Sequence, residues 1–245
     1  MKRWMNVDNK KKKEILDKAK TWMEKNIVAP HIKNTKKLST LNEIKINPFL
    51  WPYLANYYLG NSDYKSLATV AILPRVLGTS ITTSFGTKMQ SFISDVLDSS
   101  FGSTTSGIDI EYIDAVDGRR KYCQVKSGPQ ALNKDDITTI KNHFKAVVNL
   151  ARTNNLDVRH NDLVFAMLYG EPNEINSFVK ILAEDYEVYI GEEFWYRLTG
   201  DENFYYDLSK AMAEVAETVD SKELVKETIE KLAKDIELKF PKLED

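Results

Sequence analysis

Between Lys10 and Val28, Ile15, Leu16, Ala19, Trp22, Met23 and Ile27 recur at three- and four-residue spacing, the apolar stripe of a helix that lies on a core. Asn47-Pro48 sets a capping residue before a first-turn proline and predicts a second helix, rich in aromatics, from Phe49 to Tyr58. Asp63 can cap a third helix, which Pro74 should end or kink. A fourth is expected from about Phe85 to Asp98, with Met89, Phe92, Ile93, Val96 and Leu97 on one side.

The period then changes. From Gly107 to Ala115, Ile108, Ile110 and Tyr112 alternate with Asp109 and Glu111, and from Arg120 to Lys126, Cys123 and Val125 alternate with Tyr122, Gln124 and Lys126. Asp117-Gly118 between the two runs is a hairpin signal. If these two residues form a type I′ turn, Val116 faces Arg119, Asp109 faces Lys126 and Glu111 faces Gln124, all four latter side chains on one side of the sheet. A further helix is expected from Asn133 or Asp135, then a buried strand over Leu163 to Tyr169 and a short strand over Tyr186 to Ile190. From Glu192 onward the pattern is helical, ending on a stripe of Leu224, Val225, Ile229, Leu232, Ala233 and Ile236.

Composition adds limits. The 245 residues are 42% hydrophobic and 29% charged, the balance of a globular chain. The apolar run from Leu67 to Leu77 is interrupted by Thr69, Pro74 and Arg75, too soon for a membrane span. The basic N-terminus lacks the apolar segment of a secretory signal, so a cytoplasmic location is the default. Cys123 is the only cysteine, which excludes an internal disulfide and a cysteine-rich zinc site. The net charge of −2 hides an uneven distribution: residues 1–88 carry +10 and residues 184–245 carry −10. A basic third suits a polyanion, although Lys10 to Lys13 would also serve as the wet face of the first helix.

The hairpin residues carry the candidate chemistry. Two carboxylates, an amide and an ammonium make poor core, whereas oxygen donors suit Mg²⁺ and a neighbouring lysine can offset charge on a phosphate. An ordinary cross-strand ion pair is the plainer alternative. Ser127-Gly128-Pro129 turns the chain away directly after Lys126, placing the lysine at a strand end. A helix, the hairpin, a second helix and a buried strand give the order α-β-β-α-β.

Gly107-Ile108-Asp109, Gln124-Val125-Lys126 and the following Ser127-Gly128-Pro129 resemble the motif of the PD-(D/E)XK nuclease superfamily. Tyr189 to Trp195 with Leu198-Thr199-Gly200 is similar to a segment found in many type II restriction endonucleases of that superfamily. The resemblance runs from about Phe85 to Gly200. It implies an α/β, restriction-endonuclease-like core (α-β-β-β-α-β, a mixed sheet flanked by helices) with helical N- and C-terminal extensions. It also implies a homodimer that hydrolyses double-stranded DNA at a short specific sequence with Mg²⁺. Asp109, Gln124 and Lys126 would be catalytic, with Asp109, Gln124 and Glu111 toward the metal. The expected division is a basic, DNA-contacting helical region at 1–79, a nuclease core at 80–200 and acidic, dimer-forming helices at 201–245.

Gln124 stands where the superfamily has an acid. Three accounts follow: Glu111 supplies the carboxylate from across the hairpin, glutamine works as a variant, or the chain is inactive. Gln90 lies on the helix where some relatives place another metal-binding acid, and a helix-surface role competes with that reading. A repair or structure-specific nuclease and a catalytically silent DNA-binding module are the alternative functions. His31, His143 and His160 read as surface or packing histidines. The aromatic group Phe49, Trp51, Tyr53, Tyr57 and Tyr58 reads as core, with base stacking as its alternative.

Overall fold

A computed structural model describes residues 9–97, 101–103, 105–218 and 221–243. Helix α1 (Asn9–Met23) buries Ile15, Ala19 and Trp22, three of the stripe residues. After α2 (Ala29–Lys37), Asn47 accepts hydrogen bonds from the N–H groups of Phe49 and Leu50, and α3 runs over Trp51–Leu59 with Pro52 in its first turn. Asp63 caps α4 (Tyr64–Pro74), accepting the Ser66 N–H at 2.7 Å. The chain breaks helical geometry at Gly78 before α5 (Ser80–Phe92). Gln90 lies in α5, and its side chain is outside the described residues.

The aromatic cluster departs from expectation. Phe49, Tyr53, Tyr57 and Tyr58 are exposed, while Ala55 is buried and Trp51 packs against the core. One stripe of α3, through Trp51 and Ala55, meets its neighbour, and the other aromatics turn outward because no described residue covers the far side of the helix.

Four strands form one mixed sheet in the order β1-β2-β3-β4. They are β1 (Ile110–Ile113), β2 (Arg120–Lys126), β3 (Leu163–Met167) and β4 (Glu187–Ile190). The β1–β2 pair is antiparallel and the other two are parallel. Helix α6 (Lys134–Thr153) opens with a capping box between Asn133 and Asp136 and crosses from β2 to β3. Helix α7 (Ser177–Ala183) crosses from β3 to β4, and α8 (Glu192–Thr199), α9 (Phe204–Glu214) and α10 (Ser221–Lys239) follow. Among the described residues two strands precede α6, one fewer than the resemblance implies.

The hairpin register is two residues away from expectation. Glu111 pairs with Tyr122, not Gln124, and Ile110 pairs with Cys123. The connection is a four-residue loop, 115–118, closed by Asp114 N–H to Arg119 O at 2.9 Å and Gly118 N–H to Asp114 O at 2.8 Å. A distant helix holds this wider loop. Asp114 pairs with Arg197 of α8 at 3.0 Å, and Ala115 N–H donates to the Arg197 carbonyl at 2.8 Å. A shift of two residues preserves the pleat, so no strand changes face.

Two compact units divide the chain, and each is assembled from distant segments. In one, residues 9–22 join 86–213. Here Tyr122, Phe165 and Met167 of the sheet pack with Ile140, Phe144 and Val147 of α6 and Val179 and Leu182 of α7. The alternate positions Cys123, Val164 and Ala166 are also buried, as a partly parallel sheet covered on both faces requires. In the other unit, residues 23–85 join 214–243, and Leu67, Ala68, Ala71 and Ile72 of α4 pack with Ile229, Leu232 and Ile236 of α10.

Candidate active site

Lys126 ends β2 at its carboxyl edge, and Asp109 immediately precedes antiparallel β1. The two therefore meet at one end of the sheet, the end at which α/β proteins build sites. Asp109 Oδ2 accepts the N–H of Val125 at 2.7 Å, so its carboxylate is fixed beside the residue between Gln124 and Lys126. Desolvation raises the Asp109 carboxyl above the usual carboxylate range, although the residue keeps exposed surface. The Val125 N–H and the charge of Lys126 oppose that rise.

Lys126 Nζ donates to Asp136 Oδ1 at 2.9 Å. Asp136 also accepts the Asn133 N–H at 2.9 Å as part of the α6 capping box. Burial alone would raise its carboxyl, but Asn133 and Lys126 together hold it below the ordinary range. Asp136 thus fixes the helix start and the lysine head at once.

Gln124 is nearly buried. Its amide nitrogen donates to the carbonyl of Gly107 and meets Nδ1 of His143 at 2.9 Å. His143, read from sequence as a surface or packing residue, therefore belongs to the site. A signal for it exists in the spacing, since Asp136, Ile140 and His143 share one face of α6. Gly107 has φ +82°, and a Cβ there would come within 2.6 Å of the His143 ring. Only glycine meets both demands.

Glu111 is not part of this group. Its Oε1 accepts from the hydroxyls of Ser103 at 2.9 Å and Thr105 at 2.8 Å, and Oε2 pairs with Arg120 at 3.3 Å. The account in which Glu111 supplies a carboxylate opposite Gln124 is thereby overturned, because the four-residue loop sets it beside Tyr122 and its oxygens are engaged elsewhere.

Among the described residues no three His, Cys, Asp or Glu side chains are grouped to hold a metal ion. The oxygen donors at the site are the Asp109 carboxylate and the Gln124 carbonyl oxygen, which has no hydrogen-bond partner among the described residues. That pair fits a hard cation such as Mg²⁺, which takes few protein ligands and keeps several waters.

The segment Tyr189 to Gly200 serves to hold the sheet. A Cβ at Gly191 would lie 2.6 Å from the Gly170 carbonyl, so two backbones pack directly together. Trp195 Nε1 donates to Leu168 O at 2.8 Å, and Arg197 lies 4.2 Å from the Tyr189 ring centroid while it pairs with Asp114. These interactions tie the end of β3, β4 and the hairpin loop into one block.

An α/β protein with an acid, an amide oxygen and a lysine at one end of its sheet has the groups needed to act on an anionic ester. A family model described as Type II restriction endonuclease EcoO109I matches residues 17–220. The chain belongs to that family of type II restriction endonucleases. Membership carries site-specific hydrolysis of DNA. No curated protein matches the chain. No helix among the described residues is long and apolar enough to cross a membrane.

Proposed function

We propose that this chain cuts double-stranded DNA at a short specific sequence with Mg²⁺, using Asp109, Gln124 and Lys126 in the manner of PD-(D/E)XK nucleases. The observation that supports this most is the Asp109 carboxylate bound to the N–H of Val125, between Gln124 and Lys126. Asp109 and the Gln124 carbonyl oxygen would hold the cation. When bound, Mg²⁺ supplies positive charge against the phosphate and lowers the cost of its added negative charge. Lys126, held by Asp136, donates toward the attacking water or a phosphate oxygen and stabilises charge in the transition state. The water oxygen bonds to phosphorus and releases a proton to solvent, a phosphorus–oxygen ester bond breaks, and the departing oxygen takes up a proton.

A homodimer matches the two-fold symmetry of a palindromic site. The exposed aromatics of α3 and the acidic helices at 201–245 are surfaces on which a second copy can pack. The basic helical region 1–79 would bind phosphates of the DNA backbone. A cytoplasmic location accords with a DNA substrate. Incubation of the purified protein with unmethylated plasmid and Mg²⁺ tests the reading. Discrete fragments support it, cleavage confined to junctions or flaps indicates a repair nuclease, and duplex binding without cleavage indicates a silent module, the outcome that the amide at position 124 would favour.

A further inference from the structure

Gln124 is surrounded as an amide. The carbonyl of Gly107 can only accept, so the atom of the side chain that faces it must be nitrogen. The same nitrogen lies 2.9 Å from His143 Nδ1, which then accepts the second N–H and leaves the ring proton on Nε2. Both donors of the amide are used. The remaining polar atom, Oε1, has no partner among the described residues and points away from these two acceptors because the amide is planar. The arrangement is fixed from a second direction, since Gly107 lacks the Cβ that would collide with the His143 ring. Asp109 is held against the strand segment that carries Gln124, its N–H donating to the Cys123 carbonyl at 3.1 Å and its carboxylate accepting the Val125 N–H at 2.7 Å, so amide and carboxylate are neighbours.

We infer that His143 is a positioning residue which, with the Gly107 carbonyl, fixes the Gln124 amide so that its oxygen and not its NH₂ is offered to a divalent cation held with Asp109. The inference rests on the nuclease reading and deepens it. An unfixed glutamine can present either end, and its NH₂ repels a cation. Fixing the amide recovers part of what a carboxylate would provide, in geometry though not in charge. Partners that orient a metal ligand typically change metal affinity by ~10-fold or more when removed.

The test is Mn²⁺ binding to the full chain without DNA, followed by electron paramagnetic resonance, with thermal unfolding alongside. His143→Ala is expected to weaken Mn²⁺ binding by ~10-fold. His143→Asn, whose Oδ1 can accept in place of Nδ1, should recover much of the loss and covers the case in which the alanine variant does not fold. Gln124→Leu should weaken binding similarly, and His143→Ala should add little in that background, because the histidine acts through the amide. Undiminished affinity in a folded His143→Ala, or an equal loss from it with Gln124 and with Leu at 124, overturns the positioning role while leaving the nuclease reading intact. A native chain that neither binds Mn²⁺ nor cuts DNA removes that reading, and this role with it.

Discussion

Lys126 Nζ and Asp136 Oδ1 lie 2.9 Å apart, joining the end of β2 to the first turn of the helix that follows. The lysine head is therefore positioned before substrate arrives. Lys126→Ala is expected to reduce cleavage by ~10²-fold or more while duplex binding in a mobility-shift assay is largely retained, because the ammonium acts on developing charge rather than on docking. An unaltered cleavage rate would remove Lys126 from the mechanism.

Glu111 offers a contrast, since its carboxylate is bound by Ser103, Thr105 and Arg120. Glu111→Gln should cost about 1–3 kcal/mol of stability, because the hydroxyls of Ser103 and Thr105 lose a charged acceptor and an NH₂ is set against the Arg120 guanidinium. Divalent-cation affinity should not change. A large loss of Mn²⁺ binding at unchanged stability would restore Glu111 to the metal site.

At position 124 the opposite exchange, amide to acid, is also expected to cost stability. Gln124→Glu sets a carboxylate oxygen against the Gly107 carbonyl and removes the donor that this carbonyl now has. Urea unfolding in the presence of a chelator should show a loss on the order of 1–3 kcal/mol. Native-like stability would mean that the pocket accepts an acid as readily as an amide.

The basic run Lys10 to Lys13 is not uniform. Lys12 lies 2.5 Å from both Asp201 and Asp207, Lys11 sits over the Phe101 ring, and Lys10 and Lys13 are exposed. Reversing the charge of Lys10 and Lys13 should make DNA binding less salt-dependent, the slope falling by about one unit for each phosphate that is no longer neutralised, with little change in melting temperature. Reversal of Lys12 should lower the melting temperature instead. An unchanged salt slope in the double reversal would leave those two lysines as a solvated helix face.

Asp162 gives the fold an acid limit. Burial alone would raise its carboxyl, yet the Arg119 guanidinium, the Arg159 N–H and the charge of buried Lys121 hold it below the usual range. A depressed carboxylate stabilises fully above its unfolded value of about 3.9 and loses that contribution as pH falls through the lower folded value. Asp162→Asn should cost roughly 3 kcal/mol at neutral pH, chiefly by breaking the two-bond pair that Asp162 makes with Arg119. Its stability should also fall less steeply than the native protein's in titrations below pH 4, and parallel profiles would disprove the assignment.

Much of this architecture is written locally. Period-two alternation marks β1 and β2, Asn133 marks the start of α6, and the apolar run after Asp162 marks β3. Asp109, Gln124 and Lys126 do meet at one sheet end, because their side chains share a pleat face whichever even shift the hairpin takes. The loop length was not legible, since Asp114 is held by Arg197, a residue 83 positions away. The fate of Glu111 follows from that loop. His143 is likewise set by a non-local approach, that of α6 to Gly107. The outward aromatics of α3 failed as core for a simpler reason: composition tells how apolar a helix is, and not how many of its sides find a neighbour.

The pairing of α4 with α10 imposes an order on synthesis. Residues 64–74 leave the ribosome long before 221–239, so Leu67, Ile72 and their neighbours must wait for about 150 further residues before Ile229, Leu232 and Ile236 can cover them. During that interval the face of α4 that α10 will cover is open, and exposed apolar surface of this kind is where nascent chains aggregate or engage chaperones. A helical unit that closes only when α10 emerges is completed after the segments of the sheet near Asp109 and Lys126 have been synthesised.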